Sequence, residues 1–166
     1  MTTLAPPLTV TRADYSDPAD GAALIALLDA YACDPMGGGA PLAETTRQDL
    51  LDRLRDVPGA FSLIARVDGE AAGLANCFTG FSTFAEAPLV NIHDMAVLPQ
   101  FRGKGIGKAL MQAVEAESKA RGACKITLEV LSGNTVAKAL YAECGFGDYQ
   151  LDPEAGAAQF WQKTLT

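Results

Sequence analysis

The segment Val97-Leu98-Pro99-Gln100-Phe101-Arg102-Gly103-Lys104-Gly105-Ile106-Gly107-Lys108 decides how this chain is read. It follows a run of strand character, Leu89 to Val97, and opens a helical run from about Gly105 to Arg121. In that run Ile106, Ala109, Leu110, Ala113 and Val114 share one face, Glu115 and Lys119 sit one turn apart on the other, and Gly122 ends it. Glycines at 103, 105 and 107 let the backbone approach a ligand closely and turn several N–H groups toward one point. At a helix N-terminus such donors favour an anion, and Arg102, Lys104 and Lys108 add positive charge. The ligand this describes is a phosphate or pyrophosphate. Two common nucleotide loops fail on spacing. A dinucleotide G-x-G-x-x-G needs glycine at 108, where Lys108 stands; a Walker A loop needs glycine at 102 and Ser or Thr at 109, where Arg102 and Ala109 stand.

The flanking chain supplies an α/β pattern. A short strand is expected near Leu8 to Arg12, and Asp17-Pro18 starts a helix that carries Leu24, Ile25, Leu27, Leu28 and Tyr31 and ends in Asp34-Pro35-Met36-Gly37-Gly38-Gly39. Thr45 with Gln48 has the form of a capping box before the stripe Leu50, Leu51, Leu54. Phe61 to Val67 and Glu70 to Phe78 read as strands joined at Asp68-Gly69, a two-residue hairpin signal. Lys125 to Leu131 reads as a strand, Asn134 to Cys144 as a helix closed by Gly145, and Gly147 to Leu151 and Ala158 to Leu165 as closing strands. The order β-α-α-β-β-β-α-β-α-β-β predicts one domain over residues 1–166, residues 1–7 being a flexible leader. Its architecture is a mixed central sheet of about six or seven strands with helices on both faces.

Composition narrows the function. The chain has 166 residues, 49% hydrophobic and 20% charged, the make-up of a globular domain with one core. Thirteen Lys and Arg against twenty Asp and Glu leave a net charge of −7, which argues against nucleic acid or an anionic membrane as partner and suits a cationic small substrate. Four cysteines without a C-x-x-C pair and a single histidine, His93, write no metal site. No signal-peptide pattern and no apolar run of about 18 residues is visible, so a cytoplasmic location is expected.

The loop Gln100-x-x-Gly103-x-Gly105-x-Gly107 resembles the Q/R-x-x-G-x-G/A loop with which the GNAT superfamily of N-acetyltransferases grips the pyrophosphate of acetyl-CoA. His93-Asp94-Met95-Ala96-Val97-Leu98-Pro99 looks like that family's fourth strand. Asn134-Thr135-Val136-Ala137-Lys138-Ala139-Leu140-Tyr141 is similar to its N-x-x-A-x-x-L-Y helix, and Glu143-Cys144-Gly145-Phe146 to that helix's ending.

The resemblance implies a sheet splayed between the fourth and fifth strands, with the pantetheine arm in the gap. Backbone groups of Met95, Ala96 and Val97 would then pair with that arm. Gly103, Lys104, Gly105, Ile106, Gly107 and Lys108 would give N–H groups to the pyrophosphate with Arg102 beside them, and Asn134 and Ala137 would complete the cofactor contacts. Tyr141 matches the general acid that protonates the departing thiolate. The base stays open among His93, Asp94, Glu129 and a water chain; in a regular strand His93 and Asp94 point to opposite faces. Residues Tyr31 to Leu42 and Phe81 to Glu86 would frame the amine acceptor, with Asp34, Glu44 and Glu86 drawing in a cation. The implied activity is acetyl transfer to a primary amine, a small cationic one, by direct attack without a metal. A non-catalytic acyl-CoA module and a longer acyl donor are the alternatives. The resemblance is to a family in which self-association, as a homodimer, is common.

Overall fold

The computed structural model describes residues 7–150 and 152–165, so the expected leader lies outside the described residues apart from Pro7. The chain divides into two compact units, one ending at Leu128 and one beginning at Glu129.

The first unit carries a five-stranded sheet in sequence order: β1 (Leu8–Arg12), β2 (Ala60–Val67), β3 (Glu70–Ser82), β4 (Ala87–Val97) and β5 (Ile126–Leu128). The first four strands pair antiparallel and β4 pairs β5 in parallel, so the sheet is mixed as the sequence led us to expect. The β2–β3 hairpin turns at Asp68 and Gly69, both at positive φ (55° and 82°), the backbone a two-residue loop needs to match strand twist. β3 and β4 run longer than the sequence pattern suggested, absorbing most of the expected connection at 79–88 into a protruding hairpin.

Helix α1 (Pro18–Cys33) starts as expected: the Asp17 carboxylate accepts from Ala19 N–H at 2.9 Å, a cap typically worth about 1 kcal/mol. Helix α2 (Glu44–Arg55) begins one residue before the expected capping box and has no side-chain cap; Gln48 instead donates to Glu44 within the helix. Leu24, Leu27 and Leu54 of these helices pack with Ile64 and Leu74 on one face of the sheet. Helix α3 (Ile106–Ala120) lies on the other. Arg121, which closes it, stacks its guanidinium 4.1 Å from the ring of Phe61, a residue pointing away from the Ile64 face, and Ile106, Leu110 and Val114 are buried.

The second unit contains α4 (Thr135–Glu143), capped by Asn134 and followed by Gly145 at φ 87°. The expected six or seven strands are not reached, and this corrects the sequence reading. Strand β5 stops at Leu128, and among the described residues the stretches 147–150 and 157–165 are joined by one bridge, Gln150 to Ala157. Alternating side chains mark a face that a strand could bury, but a strand exists only where a neighbour supplies partners for its N–H and C=O groups. Here a 3-10 turn (Pro153–Ala155), opened by Pro153 and closed by Gly156 at φ 79°, connects the two bridged residues. Leu151 lies outside the described residues.

Candidate active site

The glycine loop has the geometry of an anion nest. After β4 the chain makes a 3-10 turn, Pro99–Phe101, that buries Phe101 and sends Arg102 outward. Gly103 and Gly105 both adopt left-handed backbone (φ 74° and 78°), and Gly105 is the N-cap of α3 with no side chain capping the helix. The first N–H groups of α3, beginning at Ile106 and Gly107, therefore lie at the positive end of the helix with no side chain capping them. Lys104 lies over the Phe101 ring at 5.3 Å, its charge kept beside the nest.

Strand β4 shows how an extended ligand could continue from there. Its ladder with β5 has three residue pairs, Val90 to Ile92, and stops at Ile92–Leu128. Beyond it, among the described residues, β4 is paired along its β3 side only. Leu98 N–H bonds to Ala72 O at 2.9 Å, and antiparallel alternation then turns the groups of Ala96 toward β3 as well. Of the three residues expected to meet the pantetheine arm, Met95 and Val97 point their backbone groups to the unpaired edge and Ala96 does not. The Val97 carbonyl already accepts from Arg102 Nε at 3.0 Å.

A bulge sets the end of this edge. Asn76 pairs with Asp94 and Cys77 with Ile92, so His93 is an extra residue in β4. The bulge cancels the alternation expected of a regular strand. His93 packs edge-on against Phe78 (centroids 5.6 Å apart), while Asp94 accepts from Asn76 Nδ2 at 3.0 Å; Phe78 and Asn76 share the α1 face of β3. His93 and Asp94 thus lie on the same face, His93 exposed and Asp94 half-buried. Glu129, the third candidate base, is exposed at the start of the second unit.

The Asp94 contact continues inward. Ser62 Oγ donates to Asn76 Oδ1 at 2.6 Å, and Tyr15 Oη lies 2.9 Å from Ser62 Oγ. Ser62 and Asn76 are almost fully buried, at 1% and 4% exposure. Sequence reasoning passed over these residues. The available signal was a lone Ser in Phe61-Ser62-Leu63-Ile64 and a lone Asn in Leu74-Ala75-Asn76-Cys77, since a polar side chain in a buried strand must find a partner.

Between the end of α1 and the end of β4 is a cavity of about 230 Å³ bounded by Leu27, Tyr31, Asp34, Ala96, Leu98 and Arg102. Asp34 accepts from Arg102 at 2.8 Å and from Met36 N–H at 2.9 Å. The Arg102 hydrogen bond, aided by the one from Met36, holds the Asp34 carboxyl below its usual range. Burial pushes the Tyr31 hydroxyl up, and the charges of Asp94 and Asp34 push it the same way. Phe81, Phe84 and Glu86, expected near the acceptor, are exposed on the β3–β4 hairpin and do not line this cavity. Glu44 is exposed and bonded to Arg47 and Gln48.

In the second unit the Asn134 side chain accepts from Ala137 N–H at 3.1 Å, so its oxygen caps α4. Tyr141 is half-buried, with its ring 6.1 Å from that of Phe146. Among the described residues no cluster of His, Cys, Asp and Glu is arranged to hold a metal, and no helix is long and apolar enough to cross a membrane.

Comparison with known proteins agrees with this architecture. The profile of the Acetyltransferase (GNAT) family matches residues 24–146. The chain is 46% identical over 59 residues to an uncharacterized N-acetyltransferase of Archaeoglobus fulgidus, covering 35% of this chain and 39% of that protein. It is 33% identical over 108 residues to an N-alpha-acetyltransferase of Sulfurisphaera tokodaii, covering 61% and 64%. It thus spans less than two thirds of the length of these curated relatives. Among solved structures, an aminoglycoside N-acetyltransferase in complex with CoA superposes with a TM-score of 0.73 over 99% of this chain and 100% of that one, at 17% identity, a likeness of fold.

Proposed function

Because the chain belongs to the acetyltransferase (GNAT) family, we propose that it transfers the acetyl group of acetyl-CoA to a primary amine by direct attack on the thioester. The observation that carries this reading is the N-terminus of α3 without a side-chain cap, behind two left-handed glycines, next to an edge of β4 that among the described residues has no strand partner beyond Ile92. A pyrophosphate fits the first feature and an extended pantetheine arm the second. Anchored at Gly103–Lys108, such an arm runs back along Val97 and Met95. The four residue steps from Val97 to His93 span about 13 Å of strand, which brings its reactive end to the bulge. An outward N–H there can polarise the thioester carbonyl.

The amine must lose a proton before it attacks, and the departing thiolate must gain one. His93 and Asp94, placed together by the bulge, serve the first need. Tyr141, carried by the N-x-x-A-x-x-L-Y helix of the second unit, serves the second. A small cationic amine is the acceptor this reading favours. The cavity is modest at about 230 Å³, holds Asp34 on its wall, and belongs to a chain with net charge −7. No metal takes part in this scheme.

Thermal unfolding tests the donor. Ligand at about 100 times its dissociation constant stabilises a fold by roughly 2.7 kcal/mol, about 5–10 °C in Tm for a chain of this size. Acetyl-CoA is expected to give that shift where NAD and ATP do not, and an amine panel followed by thiol release then finds the acceptor. No shift with saturating acetyl-CoA overturns the proposal. Binding without turnover on any amine or with any acyl-CoA leaves a binding module and overturns the enzymatic half.

A further inference from the structure

We propose that Asn76 is a positioning residue for catalysis: it holds Asp94 as the carboxylate that takes the proton of the incoming amine, at the inner end of a one-way hydrogen-bond chain from Tyr15. The inference rests on the acetyl-transfer reading and assigns the base that reading left between two residues.

The direction of the chain follows from counting protons. Ser62 has one hydroxyl hydrogen, and it is given to Asn76 Oδ1. Ser62 can then only accept from Tyr15, so the Tyr15 hydroxyl donates. The Asn76 amide takes a proton on its oxygen side and gives one from its nitrogen side, to Asp94 Oδ2. Every donor points toward Asp94, and a carboxylate is the acceptor-only group that can end such a chain. Asp94 accepts no other hydrogen bond from the described residues, so its second oxygen is left for a donor outside the chain. His93 has no comparable support; it is exposed and touches an aromatic edge. The other ionisable groups within electrostatic reach of this spot include His93 on the same strand face, Tyr31 of α1 with Asp34 beyond it, and the Cys77 thiol of β3.

Buried Ser62 in β2 and buried Asn76 in β3, the strand beside β4, also lack a better structural explanation. An apolar pair of the same size would cost the sheet nothing in unsatisfied groups, whereas this pair must keep each partner bonded to avoid a penalty. In the reaction, one ammonium proton passes to Asp94 and on to water, and the freed lone pair forms the C–N bond. The nitrogen then sheds a second proton as the C–S bond breaks, matched by the proton the thiolate takes up.

The test compares Asn76→Leu, Asn76→Asp, Asp94→Asn and the Asn76→Leu/Asp94→Asn double variant with the parent, using acetyl-CoA and the amine that the panel identifies. Asn76→Asp keeps the size and the Ser62 bond but turns an oxygen instead of an N–H toward Asp94. Each single Asn76 variant is expected to lower kcat at least tenfold with the KM for acetyl-CoA unchanged. Asp94→Asn should lower it at least a hundredfold, and the double variant should be no worse than Asp94→Asn alone. Raising the pH above the acceptor amine's own pKa should shrink all these deficits, because an amine already free of its extra proton needs no base. A purely structural role would leave the deficit unchanged with pH and the effects additive, and either result overturns the proposal. So does a full-strength Asp94→Asn enzyme whose rate collapses on His93→Gln. If the Asn76 variants unfold, Tyr15→Phe and Ser62→Ala, at the far end of the chain, carry the same pH and additivity tests. A parent protein that acetylates no amine is the separate failure of the acetyl-transfer reading, and the inference falls with it.

Discussion

Arg102 and Asp34, 68 residues apart in sequence, meet in an ion pair of 2.8 Å that fastens the phosphate-type loop to the C-terminal cap of α1. The same guanidinium bonds the Val97 carbonyl at the unpaired edge of β4. Arg102 is thus committed to the protein's own groups on the side where a pyrophosphate would call on it.

That sharing predicts opposite effects on donor affinity. Asp34→Asn, which releases the guanidinium, should tighten acetyl-CoA binding severalfold by calorimetry, and Arg102→Ala should weaken it about tenfold. Arg102 is 55% exposed, so the pair itself should contribute less than about 1 kcal/mol to stability. Asp34 is held below the ordinary carboxylate value of 3.8, so its stabilisation is fully present above that value and is lost as pH falls through the folded-state value. The difference in denaturant midpoint between the parent and Asp34→Asn should therefore be constant from neutral pH down to about pH 5 and vanish in stronger acid.

Gly105 stands at φ 78° with open space where a side chain would project, so substitution meets backbone strain rather than a clash. Gly105→Val should cost about 1–2 kcal/mol of stability and lower acetyl-CoA affinity at least tenfold. Retention of full affinity by calorimetry would refute the nest.

Removing the hydroxyl of Tyr141 leaves the ring and its packing on Phe146. Tyr141→Phe should lower kcat ten- to a thousandfold with acetyl-CoA affinity nearly unchanged. Parallel kinetics and calorimetry check this, and a fully active variant removes Tyr141 from the mechanism.

Burial pushes the Cys77 thiol up to about 12, while Cys33 and Cys124 are exposed. Alkylation at pH 8 followed by mass spectrometry should modify Cys33 and Cys124 within minutes and leave Cys77 intact until the protein unfolds. Because Cys33 borders the cavity, its modification should also slow turnover, and acetyl-CoA should protect it.

What the sequence determined by itself was local chemistry. Gly103 and Gly105 announced left-handed backbone before a helix, Asp17-Pro18 a helix start, Asp68-Gly69 a hairpin, and each signal acts within a few residues, so each is legible without the rest of the chain. The order of motifs from Gln100 to Gly145 sufficed to place the family. Tertiary structure decided what depends on partners far along the chain. Among the described residues, the stretches expected as closing strands meet through the bridge Gln150 to Ala157 and do not extend into a ladder. The bulge at His93 arises from the register of β4 on β3 and turned two residues expected on opposite faces to the same one. Asn76 and Ser62 acquired meaning only when β2, β3 and β4 lay side by side, because a buried polar side chain is defined by the group that satisfies it, and that group comes from another strand.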